Sequence, residues 1–150
     1  MMLIRNRNHK PTAQTSLITK FPSLNALNWS KIYMLPRITT NDSYMRVFQY
    51  KMLNNVLYLN KKLHHFGKKN SPLCSFCNTV EETPEHAFCE CLYTQDLWNQ
   101  LTTFLQPSIV LPPLVPQSAL VGYPEETNFL KSILYNHLLL IFKLFYLQES

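Results

Sequence analysis

The residues from Cys74 to Cys91 constrain the fold of this chain more than any other stretch. They hold all four cysteines and one of the five histidines, in the order Cys-x2-Cys-x8-His-x2-Cys-x-Cys. Cysteines and histidine grouped this closely indicate a metal site, a redox pair or a disulfide framework. A segment this short buries too little apolar surface to fold unaided, so whatever joins these side chains also determines the local structure.

The spacing favours zinc. Cys74 and Cys77 can aim two thiolates at a common point from one tight turn. His86 would emerge from the first turn of a second element, because Thr83 is a suitable N-cap and Pro84 suits the first helical position. Zinc binds four sulfur or nitrogen donors at tetrahedral corners, and a site closed by four protein ligands is structural rather than catalytic.

The residues alone leave the fourth ligand open. On a continuous α-helix, Cys89 lies three residues after His86 and faces the same side, whereas Cys91 lies five residues after it and is rotated away. Spacing therefore slightly favours Cys89, unless the backbone departs from a regular helix between His86 and Cys91.

Other uses of the thiols have less support. A redox Cys-x-x-Cys usually starts a helix beside a strand, and neither flank of Cys74 has a strand pattern. The N-terminus, MMLIRNRNHK, lacks the apolar core of a secretory signal, so we expect a reducing location, cytoplasmic or nuclear, which disfavours disulfides. The surrounding sequence offers no base or oxyanion donors for a nucleophilic cysteine. Thiols without a ligand remain an alternative.

Charge divides the chain into unlike parts. Residues 1–70 carry twelve lysines and arginines against Asp42 alone, whereas residues 71–130 carry seven acidic residues and no lysine or arginine. A basic half favours a polyanionic partner, most simply RNA or DNA, and the alternative is an ordinary solvated surface. The candidate nucleic-acid-binding residues are Arg46, Lys51, Lys61, Lys62, Lys68 and Lys69.

The strongest helical pattern covers residues 42–66. Its apolar residues recur at steps of three and four, which predicts one long amphipathic helix. Asn41 or Asp42 would cap its start, and Gly67 would end it. Together with a short helix over 93–105 and a low glycine content, this pattern predicts a mainly α fold.

The most apolar stretch lies at residues 129–147, in a helix that begins near Thr127. Two lysines, an asparagine and a histidine interrupt it, so we expect no membrane span but a helix that needs a covering partner. The predicted parts of the chain are a basic flexible arm (1–28), a helical region (29–72), the zinc-binding segment (73–105), a proline-rich connector (106–118) and the C-terminal helix (119–150).

The stretch SPLCSFCNTVEETPEHAFCECLYTQDLW resembles the zinc-binding segment downstream of the polymerase in LINE-type (non-long-terminal-repeat) retrotransposon reverse transcriptases. The shared features are the Cys-x-x-Cys pair, the acidic EET, His86 followed by Phe88, Cys91 and Trp98. The upstream stretches WSKIYMLPR and RVFQYKMLN and the downstream NHLLLIFKLFYL also resemble that region of those enzymes. The resemblance therefore covers about residues 29–147.

The resemblance implies the ligand set Cys74, Cys77, His86 and Cys91, and leaves Cys89 as a bystander. Two positions depart from the family pattern. Leu92 stands where a proline is common, and Ala87 stands where a bulkier apolar residue is common.

The resemblance also implies a role in holding template RNA or target DNA near a polymerase. The polymerase itself needs clustered metal-binding aspartates, and the only aspartates here are Asp42 and Asp96, far apart in the sequence. We therefore expect a chain that is not an enzyme. The alternatives are a docking module, whose C-terminal helix binds a polymerase domain, and a retroelement fragment without function.

Overall fold

A computed structural model of the protein describes residues 11–149. Within this range the backbone is mainly helical, and its one β-type contact is a bridge between Leu73 and Glu81. The α-helices are α1 (Thr12–Lys20), α2 (Trp29–Thr39), α3 (Ser43–Leu53), α4 (Asn60–His65), α5 (Leu92–Leu105), α6 (Pro116–Val121) and α7 (Phe129–Glu149). A 3-10 turn covers Pro22–Ala26, and a π-helical turn covers His86–Glu90. The predicted mainly α class is confirmed.

The single long helix predicted over residues 42–66 is wrong, because the chain breaks it into α3 and α4. Asp42 caps α3 as predicted, accepting a hydrogen bond from the Met45 amide at 3.0 Å. Asn55 then takes a left-handed conformation with φ 56°, and the Val56 amide donates to the Lys51 carbonyl at 2.9 Å. This is the Schellman arrangement, in which a left-handed residue closes the helix end.

Gly67 ends α4 in the same way, as the sequence predicts. Its φ is 72°, and the Lys68 amide donates to the Leu63 carbonyl at 2.8 Å. Glycine adopts this left-handed conformation without the steric cost that other residues carry.

The arm predicted over residues 1–28 differs from the structure where it is described. Residues 1–10 lie outside the described range, but residues 12–26 form α1 and the 3-10 turn. Leu24 is fully buried, and its carbonyl accepts a hydrogen bond from the Trp29 indole at 2.9 Å. Leu17 and Phe21 pack against the same core, so apolar contacts order this basic segment.

The C-terminal half adds one helix to the predicted elements. Helix α5 begins one residue before the predicted start, and α6 begins at Pro116, inside the connector predicted over residues 106–118. Helix α7 starts at Phe129, with the Asn128 side chain accepting from the Lys131 amide at 3.0 Å. That contact satisfies one of the amides left open at a helix start.

The main core forms where Phe88, between the predicted donors His86 and Cys91, meets α3 and α7. Phe88 is fully buried, and its ring contacts those of Phe48 and Tyr146 edge-on, with centroids 6.1 and 5.5 Å apart. A second cluster joins Trp98 of α5 to Phe142 of α7, with ring centroids 5.0 Å apart. The metal-binding segment is therefore part of the main core.

Helix α7 is long and apolar enough to cross a membrane by length and composition, but 44% of its most apolar window is buried within the chain. Its Lys143 is almost fully enclosed, and Nζ donates to the Gln49 side-chain oxygen at 2.8 Å and to the Ala119 carbonyl at 3.0 Å. Burial lowers the pKa of Lys143 to about 7. These contacts are typical of a core helix in a folded domain.

Candidate metal centre

The first two donors come from a tight turn between the bridged residues Leu73 and Glu81. Within it, the Cys74 amide donates to the Val80 carbonyl at 2.8 Å, and the Asn78 amide donates to the Cys74 carbonyl at 2.9 Å. Asn78 takes φ 54°, a left-handed conformation that asparagine tolerates better than most residues. The turn directs the sulfurs of Cys74 and Cys77 to the same side.

The histidine donor comes from the helical element that the sequence predicts. The Thr83 hydroxyl accepts from the His86 amide at 3.2 Å, and its carbonyl accepts from the Ala87 amide at 2.8 Å. Thr83 is thus the N-cap of this element. Its bonds hold His86, which is 6% exposed, against the turn that carries the two cysteines.

A π-helical turn brings Cys91 to the same place. The Cys91 amide donates to the His86 carbonyl at 2.8 Å, so one turn of backbone spans five residues instead of four. The residues at the two ends of such a turn lie nearly above one another, and π turns recur at functional sites. The buried Thr94 hydroxyl donates to the Ala87 carbonyl at 2.6 Å and supports the widened turn.

The four donor atoms form a compact cluster. Cys74, Cys77, His86 and Cys91 each offer one atom, and all four atoms lie within 4.8 Å of one another. The Cys74 and Cys91 sulfurs are 3.9 Å apart, and the Cys77 sulfur is 3.3 Å from His86 Nε2. Tetrahedral zinc with bonds of about 2.3 Å to sulfur places its donors roughly 3.8 Å apart. The donor set and its dimensions fit zinc.

Cys89 lies outside this cluster. It is 5% exposed, and its thiol donates to the Leu114 carbonyl at 3.7 Å, on the connector side of the segment. Burial raises its pKa to about 11, so it stays a neutral thiol. The slight preference that α-helical spacing gives to Cys89 over Cys91 fails because the intervening turn is not α-helical.

The donor thiols differ in their ease of deprotonation. Hydrogen bonds from the Thr79 hydroxyl and backbone lower the pKa of Cys77 to about 6. Burial raises the pKa of Cys91. Because zinc binds thiolates, occupation of the site would displace a proton from Cys91 but little from Cys77 at neutral pH.

A buried hydrogen-bond network continues from the donors into the core, and the sequence analysis does not identify it. The Tyr146 hydroxyl of α7 lies 3.3 Å from the Cys74 sulfur and donates to Glu82 Oε1 at 3.3 Å. Glu82 Oε2 accepts from the Asn60 amide at 2.8 Å, and the Asn60 side chain donates to the Leu73 carbonyl at 2.8 Å. In the sequence, the acidic stretch EET at residues 81–83 was the feature that could have identified Glu82. Nothing in the local pattern relates Tyr146 to Cys74, 72 residues away.

The six candidate nucleic-acid-binding residues fall into two groups. Arg46 and Lys51 lie on α3, whereas Lys61, Lys62, Lys68 and Lys69 lie on α4 and the turn after it. The Arg46 guanidinium donates to the carbonyls of Thr40 and Arg37 at 2.7 and 3.1 Å, so it closes the end of α2. The structure therefore gives Arg46 a packing role.

Lys61 and Lys62 also make contacts within the chain. Lys61 pairs with Glu81 at 2.8 Å, and the Lys62 amine donates to the Asn55 carbonyl. The remaining three lysines, Lys51, Lys68 and Lys69, are exposed, and none of their side chains makes a hydrogen bond or ion pair to another described residue.

The structure defines a small helical domain built around a Cys3His metal site. A family model described as zinc-binding in reverse transcriptase matches residues 19–98, more than half of the chain. The chain belongs to this family of reverse-transcriptase zinc-binding domains, and its predicted zinc cofactor is confirmed by the family and the donor cluster. No curated protein and no solved structure matches the chain.

Proposed function

We propose that this chain is a nucleic-acid-binding module that derives from the C-terminal part of a LINE-type reverse transcriptase. In this proposal, zinc is structural, and it fixes a basic surface against the core. The chain itself neither polymerises nor cuts nucleic acid. Membership in the family of reverse-transcriptase zinc-binding domains supports this origin. The contacts between the metal-binding turn and α4 support the role of zinc in fixing the basic surface.

The observation that carries the proposal is the attachment of the metal-binding turn to the start of α4. Glu82 accepts from the Asn60 amide, and the Asn60 side chain donates to the Leu73 carbonyl and, at 2.9 Å, to the Ser75 hydroxyl. Because Leu73 and Ser75 flank Cys74, an ion that orders this turn also holds the helix that presents the lysines.

Exposed aromatic rings accompany these lysines. We use the term basic–aromatic surface for Tyr58, Lys61, Lys62, Phe66, Lys68 and Lys69. Tyr58 and Phe66 are 59% and 56% exposed, and their rings meet edge-on with centroids 5.9 Å apart. Exposed aromatic rings stack on unpaired bases, and lysines neutralise the phosphates between them. The surface therefore suits single-stranded RNA or DNA.

The donor set supports a structural role for the metal. A zinc ion held by Cys74, Cys77, His86 and Cys91 has no open position for water or substrate. In this proposal the two aspartates of the chain have structural roles: Asp42 caps α3, and Asp96 accepts from the Gln100 side chain at 2.8 Å.

Binding of a single-stranded RNA and a DNA of equal length, measured by fluorescence anisotropy over a range of salt concentrations, tests the proposal. We expect affinity to fall steeply with salt, because bound lysines release counterions from the phosphates. The double variant Lys68→Gln, Lys69→Gln should weaken binding and reduce the slope of log K against log salt by roughly 0.7 for each phosphate that is no longer neutralised.

Lys131→Gln is the matched control, because Lys131 is an exposed lysine at the start of α7 and outside the basic–aromatic surface. It should leave both affinity and slope nearly unchanged. Absence of salt-dependent binding to either nucleic acid would contradict the proposed function.

Docking on a polymerase domain is a second candidate role. Its support is the first turn of α7, where Phe129 and Leu130 are 64% and 75% exposed. Eight residues of α7, among them Leu139 and Phe142, are already buried within the chain. Association that is insensitive to salt and is lost in Leu130→Ser would favour docking over nucleic-acid binding.

A further inference from the structure

An aromatic cleft lies between the zinc-binding turn, α5 and α7, and none of its lining residues belongs to the basic–aromatic surface. Its volume is about 240 Å³, and its lining includes four aromatic side chains and one acid: Phe76, Tyr93, Phe145, Tyr146 and Glu149. Phe76 comes from the metal-binding turn, Tyr93 from α5, and the other three from the last two turns of α7. Three separate elements therefore converge on one cavity.

The buried wall of the cleft is firmly held, while its rim is accessible. Tyr146 is 3% exposed and fixed by its contacts to Cys74 and Glu82. The Phe76 ring packs on it with centroids 4.8 Å apart, and the Tyr93 ring follows at 6.2 Å from Phe76. The rim of the cleft is formed by Tyr93 and Phe145, which are 61% and 46% exposed, and by Glu149, which is also exposed.

The charge around the cleft is negative. Glu149 is the charged residue among the described residues that line it, and no lysine or arginine joins it there. The metal-binding turn and α5, which form the other walls, carry no lysine or arginine, and Lys143 of α7 is buried against Gln49 and Ala119. A nucleotide could stack on the rings, but its phosphate would meet a carboxylate and no cation. The lining therefore favours a planar or apolar cation.

We propose that this cleft binds an arginine side chain from a basic segment of a partner protein. The guanidinium is planar, weakly hydrated and attracted to aromatic faces, so it can stack on Tyr93 and Phe145. It can also donate two parallel hydrogen bonds to the Glu149 carboxylate, which a lysine ammonium cannot do. This function is distinct from the proposed nucleic-acid binding, which would use basic residues that do not line the cleft.

A titration of the zinc-loaded chain with the blocked tripeptide acetyl-Gly-Arg-Gly-amide, followed by two-dimensional NMR, tests the proposal. We expect saturable shifts at Phe76, Tyr93 and Phe145. The citrulline tripeptide, which keeps the planar group but has no charge, should bind at least about fivefold more weakly, because it lacks the cation–π attraction. The lysine tripeptide should also bind more weakly than the arginine one. The proposal would be overturned if either control tripeptide bound as tightly as the arginine tripeptide, or if the NMR shifts occurred only outside the cleft.

Variants at the rim separate this site from a general effect on folding. Tyr93→Ala should weaken arginine binding about fivefold, and Glu149→Gln about threefold, with one zinc retained in both. Phe104→Ala is the matched control, because Phe104 is 81% exposed on α5 and does not line the cleft. A loss in Phe104→Ala equal to that in Tyr93→Ala would contradict the proposal, as would unchanged binding in both rim variants. None of these changes should alter RNA or DNA affinity.

Discussion

The basic–aromatic surface and the zinc-binding segment use their charges in opposite ways. Lys68 and Lys69 extend from the surface into solvent, whereas Glu82 and Glu85 are 3% and 6% exposed. Burial by itself would raise the pKa of Glu85, but the ion pair and hydrogen bond with Lys20 at 2.9 Å keep it below its usual value. These two acids thus contribute to the fold, and the two lysines remain exposed to solvent.

This comparison predicts that changes on the acidic side alter stability, while changes on the basic side alter binding. We also expect binding by the basic side to depend on the stability of the acidic side, because Glu82 connects the metal-binding turn to the helix that carries the lysines.

Removal of the metal should reduce the stability of the fold more than any of the substitutions that follow. Zinc contributes on the order of 10–16 kcal/mol in finger-sized peptides, and here its ligands flank the core residue Phe88. We expect one zinc per chain by native mass spectrometry and a large loss of helical circular dichroism after chelation. Nucleic-acid affinity should fall with it, and added zinc should restore both. An unchanged spectrum after complete removal of the metal would contradict this.

Replacement of one cysteine should distinguish the ligand from its neighbour. Cys91→Ser removes a donor of the cluster, so the variant should lose zinc and much of its stability. Cys89→Ser keeps all four donors and should retain one zinc, with a cost of about 1–3 kcal/mol for burying a hydroxyl near a single carbonyl acceptor. Loss of zinc from Cys89→Ser alone would contradict the assignment.

The buried lysine of α7 should make stability depend on pH. Lys143 has a pKa of about 7 in the folded chain against an ordinary value of 10.5, so the unfolded chain binds more protons between these values. The free energy of unfolding should therefore rise with pH over this window, by up to about 1.4 kcal/mol per pH unit.

Lys143→Met should remove this rise, whereas Lys131→Met, at the exposed start of the same helix, should retain it. Urea unfolding of the zinc-loaded chains at pH 7, 8 and 9 measures both. Parallel pH profiles of Lys143→Met and the parent chain would show that the amine is not the cause.

Removal of the Tyr146 hydroxyl should reduce stability and zinc affinity less than loss of a zinc ligand does. Tyr146→Phe keeps the ring against Phe88 but removes the hydrogen bonds to Cys74 and Glu82. We expect a decrease of about 1–3 kcal/mol in stability and roughly tenfold weaker zinc binding, measured by competition with a chelator. Tyr93→Phe, on an exposed tyrosine nearby, serves as the control and should change neither quantity.

The basic–aromatic surface should contribute least to stability. Lys68→Gln together with Lys69→Gln should change the free energy of unfolding by no more than about 0.5 kcal/mol, since these side chains are exposed. Urea unfolding beside the anisotropy measurement would test this directly. A large decrease in stability here would break the contrast between the two regions.

Local sequence signals predicted much of the fold. Asp42 and Gly67 mark helix ends because their side-chain and backbone chemistry acts over only a few residues. The break at Asn55 was missed because apolar residues continue at helical steps through it, and the left-handed conformation of an asparagine is an option that the pattern does not reveal.

The candidate site was less accessible to sequence reasoning. The spacing identified zinc and its first three donors, but the choice between Cys89 and Cys91 depends on a π turn that no local propensity indicates. The contact between Tyr146 and Cys74 depends on tertiary packing of α7. Periodicity reports which face of a helix is apolar, and it does not report what that face will meet.

The widened turn between His86 and Cys91 makes chain length part of the metal site. The step of five residues from His86 to Cys91 fits because the backbone there makes a hydrogen bond one residue longer than an α-helix does. Deletion of a single residue between them would keep every donor in the sequence and still direct the last sulfur away from the ion. Among chains of this kind, insertions and deletions in these few positions should therefore be as damaging as the loss of a cysteine.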